Sequence, residues 1–339
     1  MTTHDFFSGE SMPESGFPLL NVHNLTVGFD TANGCVPVVQ GLSFTLSAGQ
    51  TLCLVGESGC GKSMTALALL RLIPDPGRIT AGSVALEGQN LATLSESAMC
   101  AVRGAKIGMV FQEPMTSLNP VMRVGEQVME PLMRHTRLSR QDARAQAVEL
   151  FRQVGIPAPE QRLQDYPHQL SGGMRQRVMI AIALACKPRL LLADEPTTAL
   201  DVTIQGQILA LLREQAHQRG MGLLLITHDL GVVAEMADEV GVMYAGSLVE
   251  QAPVRELFAK PLHPYTAGLM RSAPTLQTQA TKRLDAIPGT VPAPGHLPQG
   301  CPFRPRCRDA HDRCLSVPPL VQVATTRSVR CWLAVEKTV

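Results

Sequence analysis

Residues 56–63 read GESGCGKS, which fits the spacing G-x-x-x-x-G-K-[ST]. Gly56, Gly59 and Gly61 allow the backbone to curl until several N–H groups converge on phosphate oxygens at a helix N-terminus. Lys62 adds a point charge for the β- and γ-phosphates of ATP, and Ser63 offers a hydroxyl to Mg²⁺. The apolar run TLCLV (51–55) precedes the turn and the helix-forming run from Met64 onward follows it. That strand–turn–helix setting is what the motif requires, and an incidental glycine-rich turn has no need of it. The expected nucleotide-binding set is therefore Gly56, Glu57, Ser58, Gly59, Cys60, Gly61, Lys62, Ser63 and Met64. A second apolar run, LLLADE (190–195), ends in Asp194, placed to hold Mg²⁺, and Glu195, placed to polarise water. Alone, a strand ending in Asp-Glu is an ordinary strand exit; downstream of a phosphate loop it becomes a catalytic pair. A third feature is Ser171-Gly172-Gly173, standing before the helix-forming run of residues 174–185. It is another bare helix N-terminus suited to an anion, and one chain with one nucleotide does not need two.

These residues must be carried by alternating elements. Short apolar runs at 19–29, 51–55, 107–111, 190–194 and 222–227 are separated by longer helix-like segments, a pattern that predicts an α/β fold with a mainly parallel sheet. Residues 122–186 contain no strand-like run, and Ser139 is placed to cap a helix over 139–154, so a helical insertion is expected there. After residue 272 proline and glycine become frequent and core residues scarce, which predicts a loop-rich extension in need of a staple.

Composition narrows the function. Thirty basic residues against 29 acidic give a net charge of +1, so no global field draws the chain to nucleic acid or anionic lipid. The N-terminal residues lack the basic and apolar blocks of a signal peptide, and no run of eighteen apolar residues occurs. Nine cysteines, five of them scattered singly, suit a reducing cytosol better than a disulfide framework.

The stretch LSGGMRQRVMIAIALA (170–185) resembles the signature sequence of the ATP-binding cassette (ABC) family, and further landmarks follow in that family's order. Gln112 matches the Q-loop, Asp201 in TALD the D-loop, and His228 the switch histidine. Phe29 matches the aromatic residue that stacks on adenine. Met174 stands where the usual signature has Gln, leaving Ser171 and both glycines in place. The resemblance spans roughly residues 19–271. It implies a P-loop NTPase cassette: a RecA-like core, an antiparallel β subdomain and a helical signature subdomain (122–186). It also implies that two cassettes dimerise head to tail, with each ATP between the phosphate loop of one and the Ser171–Met174 and Asp201 segments of the other. Glu195 would then act as general base, His228 would contact the γ-phosphate, and Gln112 would link Mg²⁺, held with Ser63 and Asp194, to the surface facing a transmembrane partner. QEPMTSLNP (112–120) is the expected docking surface.

Residues 261–276, 287–294 and 300–307 resemble the C-terminal region of ATPase subunits of dipeptide, oligopeptide and nickel ABC importers, a tail also found in some glutathione and opine importers. The implied partners are a second cassette chain, expected to be a different one, two transmembrane permease subunits and, indirectly, an extracytoplasmic solute-binding protein. The implied location is peripheral, on the cytoplasmic face of the inner membrane. Domains are expected at 1–18 (flexible N-terminus), 19–271 (ATPase) and 272–339 (extension). ABC ATPases without permeases usually bring long coiled coils or two cassettes per chain, and a nucleic-acid binder brings a basic stripe; the sequence has none of these, and no nucleic-acid partner is expected. A redox sensor that merely binds ATP would leave the hydrolysis set surplus.

Cys301, Cys307, Cys314 and Cys331 are separated by five, six and sixteen residues, without the tight C-x-x-C spacing typical of structural zinc. Free thiols, a Cys₄ zinc site and an iron–sulfur cluster all remain open on spacing alone. The family resemblance points to a metal-binding extension with a [4Fe-4S] cluster, Zn²⁺ being the alternative. Arg304, Arg306, Arg308, Arg313 and Arg330 would offset the thiolate charge.

Overall fold

The computed structural model describes residues 18–113, 117–198, 200–272 and 286–335. The expected N-terminal segment up to residue 17, residues 114–116 of the docking surface, Ala199 of the D-loop stretch and residues 273–285 lie outside the described residues.

The described strands are β1 (Leu20–Thr31), β2 (Gly34–Leu46), β3 (Thr51–Val55), β4 (Gly77–Leu86), β5 (Gln89–Asn90), β6 (Ile107–Val110), β7 (Leu190–Asp194), β8 (Gly222–Ile226), β9 (Glu239–Tyr244), β10 (Ser247–Pro253), β11 (Val321–Ala324) and β12 (Arg327–Val329). They form a RecA-like main sheet in the order β11-β12-β10-β9-β3-β8-β7-β6 and a smaller antiparallel sheet in the order β2-β1-β4-β5. From β9 to β6 the main sheet is parallel. Every residue of β3, β7 and β8 is buried, as expected where both faces of a parallel sheet are covered. Alternation divides their side chains between two cores. Leu52, Leu54, Leu190, Leu192, Leu224 and Ile226 pack with Leu20, Leu25 and Val39 of the small sheet. Cys53, Val55, Leu191, Ala193, Leu223 and Leu225 belong to the core on the helical side.

Between β6 and β7 the described elements are helical: Val124–Thr136, Arg140–Gln153, Pro159–Arg162 and Gly172–Leu184, with a 3₁₀ turn at Pro167–Gln169. Ser139 caps the second of these, its Oγ accepting from the Asp142 N–H at 3.2 Å. Ala143, Ala147, Leu150 and Phe151 recur at helical spacing and are buried on one face.

Two features depart from the sequence reading. The run at 19–29 enters the antiparallel sheet as β1, because its partners are the irregular strands β2 and β4, whose glycines and polar residues hide their extended character. The loop-rich extension returns to the main sheet, adding the β11–β12 hairpin beyond β10. A buried ion pair secures that edge. Glu250, 0% exposed, accepts from Arg327 Nη2 at 2.8 Å and from the N–H groups of Leu262 and His263, each at 2.9 Å. Arg327 also donates to the Lys260 carbonyl. Beside it, Tyr244, Tyr265, Phe303 and His263 form an aromatic cluster, with Tyr244 4.7 Å from Tyr265 and 5.2 Å from Phe303. No described helix is long and apolar enough to cross a membrane.

Two outcomes follow from this packing. Arg327→Met strands the Glu250 carboxylate without its cation, and should lower the urea-unfolding free energy by about 3–5 kcal/mol with an unchanged slope. His263 is fully buried, its Nδ1 accepting from the Tyr265 N–H, and burial pulls its pKa from the usual 6.5 down to about 3. The unfolded chain therefore binds a proton below pH 6.5 that the folded chain refuses, so stability is full above 6.5 and falls as the pH drops toward 3. That loss amounts to about 2 kcal/mol by pH 5. In His263→Gln the difference in unfolding free energy between pH 7 and pH 5 should shrink by that amount; an unchanged difference refutes the assignment.

Candidate functional site

The phosphate loop leaves the C-terminal end of β3, the edge at which ligands bind in sheets of this kind. Its three glycines, Gly56, Gly59 and Gly61, all have positive φ, and at two of them a side chain has no room. A Cβ on Gly56 (φ +154°) would stand 2.3 Å from the Met243 carbonyl oxygen, and one on Gly61 (φ +102°) would stand 2.8 Å from that of Val38. The loop is thus held between β9 of the main sheet and β2 of the small one. Ser58 and Gly59 are exposed at its crest, while Cys60 is buried with its thiol pushed up by desolvation. Lys62, 6% exposed, folds back across the turn, and its Nζ donates to the carbonyls of Gly56 (2.8 Å) and Glu57 (3.1 Å). The helix Lys62–Leu69 follows, with Met64 partly buried against the core below the small sheet.

Ser63 Oγ donates to Asp194 Oδ1 at 3.0 Å. Burial raises the Asp194 pKa, the Ser63 hydroxyl opposes that shift, and the adjacent Glu195 charge adds to it. A desolvated carboxylate beside a hydroxyl is an oxygen donor set that fits a hard divalent cation, whose charge would reverse the shift. Glu195 follows in the left-handed region (φ +44°), turning its side chain out of the strand direction. There three groups meet it: Gln112 Nε2 and Thr198 Oγ1 donate to Oε2 at 3.1 and 2.9 Å, and His228 Nδ1 lies 3.1 Å from Oε1. Burial alone would raise the Glu195 pKa, but the hydrogen bonds from His228 and Thr198, with the nearby positive charge, bring it below the usual value. The result is an ionised carboxylate assembled from the ends of β6, β7 and β8.

The remaining expected positions lie elsewhere on the surface. Ser171 is the N-cap of the helix Gly172–Leu184, its Oγ accepting from the Met174 N–H at 3.4 Å, and Ser171 and Gly172 are exposed. Gly173 lies against Ile204, and Met174 packs against the helical core. Asp201 is exposed and caps Val202–Arg219 through the Ile204 N–H at 2.9 Å. Phe29 lies on β1, half-buried, with its ring over Gly77. Sequence reasoning missed Thr198, which stands three residues beyond Glu195, a spacing that could have flagged it.

The expectation of a [4Fe-4S] cluster, or zinc in its place, at Cys301, Cys307, Cys314 and Cys331 is overturned. Among the described residues no group of three or more His, Cys, Asp or Glu side chains is arranged to hold a metal ion. The four cysteines do reach the walls of one narrow void, shared with Phe303, Pro318 and Trp332, but its volume is about 10 Å³. That is room for a single water and not for an inorganic core. Burial raises the thiol pKa values of Cys301, Cys331 and Cys307, the last to about 11. Three of the five arginines are engaged with other groups. Arg306 makes a bidentate pair with Glu57 at 2.7 and 2.9 Å, Arg330 donates to the Leu248 carbonyl at 3.1 Å, and Arg313 lies 4.5 Å from the Trp332 ring centre.

Comparison with known proteins agrees with this geometry. Residues 39–198 match the ABC transporter family, and residues 249–314 match the C-terminal region of oligopeptide/dipeptide transporters. The chain is 51% identical over 94% of its length to the oligopeptide transport ATP-binding protein AppD of Bacillus subtilis, covering 98% of that protein. It is 48% identical to the oligopeptide transport ATP-binding protein OppD of Salmonella typhimurium, covering 96% of each chain. Among solved structures, the dimeric bacterial ABC transporter cassette MJ0796 superposes with a TM-score of 0.63 at 28% identity, covering 70% of this chain and 99% of that one. Near-complete overlap at about half identity, on a P-loop fold with its carboxylates in place, establishes that the chain belongs to the ABC transporter family as an ATP-hydrolysing subunit closely related to oligopeptide-transport ATPases.

Proposed function

We propose that this ATPase powers the uptake of di- and oligopeptides through a separate membrane permease. It would sit at the cytoplasmic face of the membrane, paired with a second cassette chain, beneath two transmembrane subunits fed by an external solute-binding protein. The names of its relatives support the peptide substrate. In this reading residues 19–271 form the ATPase unit, with the helical part at 122–186, and 272–339 are an appended segment.

The observation that carries the catalytic reading is the convergence of Gln112, Thr198 and His228 on Glu195, beside the Ser63–Asp194 pair. Residues 56–63 bind the phosphates through backbone N–H groups and Lys62, whose present carbonyl partners are exchangeable for phosphate oxygens. Phe29 offers a ring face to adenine. Ser63 and Asp194, with Gln112, would hold Mg²⁺, which supplies neutralisation of phosphate charge when bound. Glu195, kept ionised, accepts a proton from the attacking water, and His228, with its side chain 65% exposed, is free to turn toward the γ-phosphate. The exposed Ser171–Met174 cap and Asp201 are the second anion cradle, directed at a nucleotide on the partner cassette.

Glu195→Gln should lower ATP turnover about 100- to 10,000-fold while Mg²⁺-ATP binding persists, and uptake of labelled di- and oligopeptides by cells carrying it should collapse. Unchanged uptake would refute the role. Ser171→Arg should leave nucleotide affinity of the separate chain intact but abolish turnover by the assembled pair; full turnover would sink the shared-site reading.

A further inference from the structure

The second residue of the phosphate loop is held from the far end of the chain. The Glu57 carboxylate accepts from Arg306 Nη1 at 2.7 Å and from Nη2 at 2.9 Å, and the Glu57 backbone N–H donates to Tyr265 Oη at 2.9 Å. The Arg306 side chain is 4% exposed, and its remaining groups are also bound: Nε donates to the Pro288 carbonyl at 2.8 Å and Nη1 reaches Tyr244 Oη at 3.4 Å. Arg306 stands in the 3₁₀ turn Arg304–Arg306, and Phe303, just before that turn, packs edge-on against Tyr244 and Tyr265. The guanidinium is therefore fixed on its own side before it meets the loop. On the loop side, the carbonyls of Gly56 and Glu57 are the acceptors of the Lys62 ammonium. A continuous run of polar contacts thus leads from the C-terminal segment through Glu57 to the phosphate-binding lysine.

We infer that the C-terminal segment sets the conformation of the phosphate loop, with Arg306 acting as a positioning residue on nucleotide binding through Glu57. The inference rests on the reading of residues 56–63 as the nucleotide's phosphate site. Two physical reasons distinguish this contact from a staple that merely fastens a tail. A carboxylate beside the phosphate cradle opposes anion binding unless a cation neutralises it. A bidentate fork also fixes the orientation of its partner, which a single-point contact does not. Holding Glu57 at both its carboxylate and its N–H leaves residues 56–57 one orientation, the one in which their carbonyls face Lys62.

The test is a double-substitution cycle in the full-length chain, read by the affinity for a fluorescent ATP analogue with Mg²⁺ and, separately, by the unfolding midpoint. Arg306→Met should weaken nucleotide binding about tenfold, within the range of about 2- to 150-fold typical of directly coupled residues. The same change in a Glu57→Gln background should cost less than about twofold. Arg306→Lys, which keeps charge without the fork and guards against a variant that fails to fold, should recover only part of the affinity. A lowered unfolding midpoint with unchanged nucleotide affinity would overturn the inference, as would an equal loss in both backgrounds. Lys62→Ala serves as the reference: if it leaves binding intact the phosphate-loop reading itself falls, and this inference with it. If Lys62→Ala abolishes binding while Arg306→Met does not alter it, only the coupling is refuted.

Discussion

Two points of contact between backbones, Gly56 against the Met243 carbonyl and Gly61 against that of Val38, govern the placement of everything else in the site. No side chain fits at either point, so the turn between β3 and its helix is compressed between the main sheet and the small antiparallel sheet. Across that compressed turn Lys62 folds back to the carbonyls of Gly56 and Glu57. The antiparallel sheet is therefore more than an appended platform for Phe29. Its strand β2 forms one wall of the phosphate site, and the Gly246 N–H, donating to the Cys60 carbonyl at 3.1 Å, closes the other side.

The Glu195 carboxylate depends on this arrangement through the parallel register. Leu54 pairs with Ile226, and Ile226 with Asp194, so β3, β8 and β7 end at one level. Ser63, Asp194, Glu195 and His228 emerge side by side for that reason, although they lie far apart in the chain. Burial would make a carboxylic acid neutral here, and it does raise Asp194. Glu195 escapes that outcome because donors surround it. Two adjacent carboxyl groups thus acquire opposite tendencies, the Asp194 pKa raised and the Glu195 pKa lowered.

The C-terminal extension solves its shortage of apolar residues by binding to the body of the ATPase. The β11–β12 hairpin extends the main sheet, Glu250 and Arg327 form a buried pair, and the ring cluster around Tyr244 fills the remaining space. Edge-on ring pairs of this sort contribute about 0.5–1.5 kcal/mol each beyond the area they bury. The cysteines join this packing along a narrow void, Cys314 buried and Cys301, Cys307 and Cys331 partly so. Sparse hydrophobicity correctly indicated a need for reinforcement, but the reinforcement is ionic, aromatic and hydrogen-bonded.

Local pattern was enough to identify the phosphate loop, the Asp194–Glu195 strand end, the Ser171 helix start and the Ser139 cap, because each depends on residues adjacent in the chain and on the backbone conformation they impose. The fully buried strands β3, β7 and β8 were legible for a similar reason: covering both faces demands uninterrupted apolar residues. Strands β2, β4 and β9 to β12 were not, since a one-sided or edge strand tolerates glycine, proline and polar residues and takes its identity from its neighbours. The convergence of Gln112, Thr198 and His228 on one carboxylate arises from strand register, and the grip of Arg306 and Tyr265 on Glu57 arises from how the extension docks. Spacing placed the four cysteines together in sequence; only the fold could decide their arrangement, and it brings them to the walls of one narrow void without a metal-holding group among the described residues.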